Sequence, residues 1–376
     1  MTPPADAPTN PTNPPNPPGG PGGPGGPGGP GGPGGPGTVH QPGPGRAVGS
    51  GGYHVGIDVG GTKVLAVATQ PARPTHELAA VEHPTASGPD VLAVVGRALA
   101  EVRAAVGPEA GPLLAVGVGM PGMVTHTGVL RYGPHLSGAI ELDIGARLSA
   151  EYGVPVVVDN DGNCAAWAEH RVGAGAGHDD VVFVGLGTGI SCGMVIGGRR
   201  VRGVHGFAGE PGHMTVLPDG PRCACDRLGC WEALASGTAL AEQARRAVAE
   251  GRLGRVVQLA GGDPQAVRGE HVTVALAEGD PATVQLATAF ARWVALGLAN
   301  LVNLLDPAVI ALGGSVVDAR APWMTLIGRA YDDAVLAGAL RPSTSLVAAT
   351  AGRRAGAIGA ALLAAESVPD LRRPAV

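Results

Sequence analysis

The chain has 376 residues, with 31 acidic and 26 basic side chains and a formal net charge of −5. The charges are scattered and of both signs, so no basic face recommends nucleic acid as a partner. No stretch offers ~20 apolar residues free of glycine and charge, so no membrane-spanning helix is predicted.

Residues 1–50 are a Gly/Pro-rich segment that repeats Gly-Gly-Pro from Gly19 to Gly37. Glycine at every third position resembles collagen, but the run stops after a few triplets. This composition predicts a disordered, fairly extended tail. It has neither the basic start nor the apolar core of a secretion signal, so a soluble, cytoplasmic protein is expected. More than three hundred residues follow, enough by length for two domains.

Tyr53 to Thr69 reads as two β runs joined by a tight glycine turn, Asp58-Val-Gly-Gly-Thr-Lys63, which carries the chain's single lysine. Gly60 and Gly61 let the backbone approach an anion, and Thr62 can donate to phosphate oxygens. Asp58 can hold Mg²⁺ through water. A plain Gly-Gly hairpin explains the same residues. This is no Walker A loop, because the lysine follows Gly-Thr and a strand comes next. A helix is predicted from about Pro89 to Val106, a strand over Leu113 to Val118, and a turn at Pro121-Gly122. An amphipathic stretch near Leu142 to Tyr152 precedes a β run, Val154 to Val158, and a helix from about Asn163 to Arg171. Asn160-Asp161 lies between them. Asp161 reads either as a helix N-cap or as a general base at a strand's end.

Val181 to Ile196 repeats the strand–glycine–strand device, with Gly187-Thr188-Gly189 at its turn, and a short run over Arg199 to Val204 follows. Two matching turns predict a duplicated unit, one per half, and a two-sided phosphate clamp. Helix-period apolar residues then run over Ser236 to Glu250 and Pro281 to Leu305. Asp306-Pro307 stops the second helix, and the β run Val309 to Leu312 leads to Gly313-Gly314 and more helix. That glycine pair permits close approach to a nucleotide, although a β-to-helix turn explains it equally well. Strands alternating with helices predict an α/β fold with mixed sheets.

The most specific segment is GFAGEPGHMTVLPDGPRCACDRLGCWE, Gly206 to Glu232. Cys223, Cys225 and Cys230 form a C-x-C-x4-C cluster with His213 ten residues upstream, a closed Cys3His set for structural zinc. Buried thiols or disulfides are the alternative, disfavoured by the turn-rich setting and the absence of a secretion signal. Zinc here would pin Glu210 and Glu232 beside the His213 imidazole, an arrangement suited to a hydroxyl-rich ligand. Cys164 and Cys192 stand alone and read as core residues.

Together, DVGGTK, GVGMPGMV at Gly117, DNDGNCAAWAE at Asp159, GLGTGI at Gly185, GEPGH with CACDRLGCWE, and NLLDPAVIALGG at Asn303 resemble the ROK family. Within it they resemble the bacterial ATP-dependent glucokinases, over about Tyr53 to Ala365. The resemblance implies an actin-like (hexokinase and Hsp70-type) two-domain fold around a cleft, of the zinc-containing subtype. A smaller domain would span 51–160, completed by a C-terminal helix at about 353–366. A larger one, 161–352, would carry the zinc site and a dimerisation surface. Asp161 would be the base for the sugar's 6-hydroxyl, with Asn160, Glu210, His213 and Glu232 as further sugar ligands. Asp58, Gly60–Lys63, Gly187–Gly189, Gly313 and Gly314 would hold MgATP. His213 would bind zinc through one ring nitrogen and face a hydroxyl with the other side. A homodimer or homotetramer is expected, with glucose or a related hexose as substrate.

Some residues depart from the family pattern. Ser191 and Cys192 stand where glycine is usual in the second phosphate loop. Ala224 and Asp226 replace glycines in the knuckle, and Trp231 replaces an aliphatic residue. His135 and Ala139 stand in a region where relatives tend to carry asparagine and tryptophan. Rival readings are a kinase for mannose, N-acetylglucosamine or fructose, one using polyphosphate as donor, and a noncatalytic sugar sensor. A sugar-responsive repressor would need a basic N-terminal recognition helix, which the Gly/Pro segment cannot make.

Overall fold

A computed structural model describes residues 51–368, except 87, 134, 135, 137–139, 318–320 and 339. The Gly/Pro segment expected as a tail, and the pair His135 and Ala139, lie outside the described residues.

The chain opens with β1 (Tyr53–Val59), β2 (Lys63–Gln70) and β3 (Arg73–Pro84), then α1 (Val91–Ala105) and β4 (Leu113–Met120). A small antiparallel sheet of β5 (Met123–Val124), β6 (Val129–Tyr132) and β7 (Leu142–Asp143) follows, then α2 (Ile144–Tyr152), β8 (Val156–Asn160) and α3 (Asp161–Val172). The second half repeats the opening with β9 (Val181–Leu186), β10 (Ile190–Ile196) and β11 (Arg199–Arg200). Helices α4 (Glu232–Ala235), α5 (Gly237–Ala249), α6 (Gly254–Leu259), α7 (Gly269–Ala277) and α8 (Pro281–Leu305) lead to β12 (Val309–Gly313). The described chain ends with α9 (Ala321–Ala334), β13 (Ser345–Ala348) and α10 (Ala355–Ser367).

The expected duplication is present at the level of topology. One sheet runs β3-β2-β1-β4-β8 and the other β11-β10-β9-β12-β13. In each, the first three strands are antiparallel and the last two join in parallel. Apolar β-branched runs explain the central strands: Val55, Ile57 and Val59 of β1, like Val181, Val182 and Val184 of β9, are fully shielded. Helix α1 buries Val91, Val95, Ala98, Leu99 and Val102, the stripe a 3.6-residue period produces.

Helices α3 and α10 pack together, and α10 lies directly on β1 and β4. Gly56 of β1 makes this possible: a Cβ there would come 1.8 Å from the Ala357 carbonyl oxygen. Gly359 does the same against α3, where a Cβ would meet the Cys164 carbonyl at 1.7 Å.

Three boundaries differ from the sequence expectation. Strand β8 is shifted two residues onward, because its parallel register with β4 extends to Met120–Asn160. Strand β11 is shorter than the run predicted from Arg199 to Val204. The N-cap of α3 is Asn160, whose Oδ1 accepts from the Asn163 N–H at 3.1 Å; Asp161, read as a possible cap, is the first helical residue.

Helix α8 has the bounds read from sequence, with Asp280 as its cap, Pro281 in its first turn and Asp306 in the left-handed region at its end. By length and composition alone it could cross a membrane. Its inward face, including Phe290, Val294, Leu298 and Val302, packs instead with Trp231 and Trp323 in the core.

Candidate active site

A cavity of about 340 Å³ brings together most of the residues singled out in the sequence. On one side the β1–β2 turn contributes Asp58, Gly60, Gly61, Thr62 and Lys63. The turn is closed by Gly60 N–H donating to Lys63 O at 2.8 Å, and braced by Thr85, whose hydroxyl donates to Gly60 O at 2.7 Å. Lys63 is held by Glu82 at 2.7 Å.

The β9–β10 turn answers it with Gly187, Thr188 and Gly189. Its brace is the start of α5, where Gly237 N–H donates to Gly187 O at 2.7 Å and the Thr238 hydroxyl to Thr188 O at 2.8 Å. Thr62 and Thr188 are both exposed, so their hydroxyls remain open to an anion, while the Gly60 and Gly187 amides close their own turns. Ser191 and Cys192 lie on β10, beyond this turn, and Cys192 is buried. Gly314 reaches the cavity, with its backbone in the left-handed region. Gly313 does not: it ends β12 against the Phe183 ring.

Between the turns, the step from β8 into α3 delivers Asn160 and Asp161 into the cavity. Asn160 is tied down at both ends of its amide, capping α3 and donating to Gly122 O at 3.1 Å. Asp161 accepts from the Gly162 N–H at 2.9 Å. Its carboxyl is pushed up to about 8, chiefly by burial and further by the charges of Asp58 and Glu210. Burial raises Asp58 to about 6, opposed by Lys63, and raises Glu210 to about 7, reinforced by Glu232. A crowded set of carboxyls with raised pKa values in one cleft makes it a candidate functional site.

The third wall is the cysteine segment. His213, Cys223, Cys225 and Cys230 present ligand atoms all within 4.8 Å of one another. Cys225 and Cys230 sulfurs are 3.7 Å apart, and Cys223 Sγ is 3.6 Å from His213 Nδ1. Two thiolates ~2.3 Å from one tetrahedral zinc stand ~3.8 Å apart, and a thiolate and imidazole nitrogen ~3.6 Å. The donor set therefore fits zinc, and all five cysteines are free of disulfides.

The opposite ring nitrogen of His213, Nε2, faces Glu210 Oε2 at 3.9 Å. Glu232 begins α4 and is fixed by the Ile190 N–H, donating to its Oε2 at 2.8 Å. The knuckle accommodates its unusual residues. Asp226 takes the left-handed conformation usual for glycine, which aspartate tolerates better than most residues. Trp231 is wholly buried, donates to Trp293 O at 2.8 Å, and rests on Gly297, where a Cβ would come within 1.9 Å of its ring.

The sequence reading did not include Ser315 or the segment Gly352, Arg353, Ala355 and Gly356, all of which line the cavity. Gly356 sits against Asp58, where a Cβ would be 2.4 Å from its carboxylate. The glycines of Ala351-Gly352 and Ala355-Gly356 were the one available signal.

A duplicated five-stranded frame with a cavity between matched glycine turns is the actin-like α/β architecture. The chain belongs to the ROK family, whose model matches residues 54–367. It is 37% identical over 322 residues to a glucokinase of Streptomyces coelicolor, covering 85% of this chain and 99% of that one. An N-acetylmannosamine kinase of Escherichia fergusonii is 31% identical over 311 residues, covering 82% and 97%. The crystal structure of a ROK family glucokinase from Streptomyces griseus in complex with glucose and AMPPNP superposes with a TM-score of 0.77. That protein is 35% identical, over 84% of this chain and 100% of its own. These likenesses support phosphorylation of a sugar by ATP.

Proposed function

We propose that the protein is a glucokinase that transfers the γ-phosphoryl of ATP to the 6-hydroxyl of glucose, with Asp161 as general base. The observation that carries this reading is the placement of Asp161 at the end of β8, in one cavity with both Gly-Thr turns. Asn160, Glu210, His213 and Glu232 bind the sugar hydroxyls. Asp161 accepts the proton as the hydroxyl attacks in line, a role typically worth ~10²–10⁴-fold in rate. The amides and hydroxyls around Thr62 and Thr188 stabilise charge on the transferring phosphoryl group. Asp58 would hold Mg²⁺ through water; the ion supplies neutralisation of phosphate charge. His213 and the three cysteines would hold zinc, which organises the Glu210 and Glu232 wall and takes no part in the chemistry.

The same reading includes a cleft between a smaller domain, 51–160 with α10, and a larger one, 161–352. It also includes self-association as a dimer or tetramer and a cytoplasmic location. The likeness to N-acetylmannosamine kinase favours a second reading in which another hexose is preferred.

The test is MgATP-dependent phosphorylation across glucose, mannose, fructose, N-acetylglucosamine and allose, with Asp161→Asn as control. Dominant glucose turnover, lost in the variant, is expected. Dominance of another sugar would keep the reaction and change the substrate. Binding without turnover would make the chain a sensor.

A further inference from the structure

Glu169 closes the motif that begins at Asp159, yet it lies two helical turns from the reacting carboxyls. Its side chain is wholly buried, at 0% exposure. A buried carboxylate is costly unless its oxygens are fully hydrogen-bonded. Here one oxygen, Oε2, accepts from Ala174 N–H at 2.7 Å, Thr350 N–H at 3.1 Å and the Thr350 hydroxyl at 3.4 Å. The other, Oε1, accepts from Ala351 N–H at 2.8 Å. Every donor is a backbone amide or a hydroxyl.

These donors come from two places. Ala174 follows α3, so the carboxylate closes the end of its own helix. Thr350 and Ala351 lie 181 and 182 residues away, in the crossover from β13 to α10. That crossover carries Gly352, Arg353 and Ala355 into the cavity wall and brings Gly356 against Asp58. Helix α3 begins with Asp161, so one rigid helix links the base at its start to the crossover at its end.

We propose that Glu169 is a positioning residue for the phosphate-donor side of the cleft, pinning the 350–351 backbone to α3 and so holding 352–356 in register with Asp58. The inference rests on the sugar kinase reading for which substrate each side of the cavity takes. Stability alone does not call for a charge here, because the desolvation of a buried charge can exceed what its contacts return. Three of its four contacts go to Thr350 and Ala351 and leave the crossover a single backbone course.

The test pairs calorimetric titration of MgATP, without sugar, with steady-state kinetics for both substrates, using the full chain. Glu169→Gln keeps the shape but turns one acceptor into a donor facing an N–H. Ala351→Pro leaves Glu169 intact and deletes the amide on Oε1; its native φ of −69° suits proline. Both variants are expected to raise the MgATP Kd and KM by roughly tenfold, below the ~10²-fold that a 1 Å misplacement remote from the chemistry can cost, with sugar KM within about twofold. Unchanged ATP affinity with only a lowered Tm would overturn the inference, as would equal rises in both KM values. If Glu169→Gln fails to fold, Ala351→Pro decides. If the wild type binds MgATP but phosphorylates no sugar, the kinase reading fails, and the MgATP Kd of the two variants still decides this inference.

Discussion

Asp161 must be ionised to accept a proton, yet its surroundings favour the acid, with a pKa near 8 against 3.8 for an ordinary aspartate. Two consequences follow in opposite directions. For catalysis, kcat/KM should rise with pH, pass half its maximum near 8 and level off above that, as measured on the free enzyme; a profile flat from pH 6 to 9 would exclude this base. For stability, a raised folded-state pKa means the stabilising proton is fully present below pH 3.8 and lost as pH climbs through about 8. Asp161→Asn cannot ionise and keeps an Oδ1 acceptor for Gly162, so it should be inactive and more stable than wild type. The gap should widen from pH 5 to 8, reaching roughly 2 kcal/mol after allowance for water in the open cavity. Denaturant melts at both pH values check the sign. An Asn variant less stable at pH 8 than wild type would show that the cavity does not oppose the charge.

At the scale of elements, the cysteine knuckle is a wall with little secondary structure of its own. Isolated bridges pair Thr215 with Cys230 and Arg222 with Leu228, and the 3-10 turn Pro211–His213 precedes them. A segment so poor in regular hydrogen bonding needs a cross-link to hold Glu210 and Glu232 at fixed positions, and metal binding would supply it. Wild-type protein should carry one zinc per chain by elemental analysis. Cys225→Ser should lower Tm by roughly 5 °C or more and weaken sugar binding in the same step. Zinc-free protein with full activity and unchanged Tm would end the structural role assigned to the metal. The neighbouring helix α8 shares the load: Trp231 enters the core beside the last cysteine only because Gly297 leaves its ring the space.

Across the whole molecule, legibility followed sequence distance. The hairpins β1–β2 and β9–β10, the Asn160-Asp161 step and the knuckle are local, so period-2 apolar runs, glycine turns and ligand spacing expose them. The edge strand β3, with its mixed polar residues, and the short α6, α7 and β13 give no strong period. Gly352–Gly356 and Ser315 enter the cavity through tertiary packing, and the tie from Glu169 to Thr350 spans 181 residues that no local pattern connects. The segment before residue 51 makes the opposite case. Its Gly-Gly-Pro repeat has almost no apolar side chain to bury. The ROK match begins at residue 54, and both sheets, the cavity and the knuckle are built from residues after 52. Protein beginning at Ser50 should therefore keep kcat and both KM values, with Tm within ~2 °C of the full chain. Loss of sugar phosphorylation on truncation would assign the Gly/Pro segment a part in the reaction that its composition gives no means to perform.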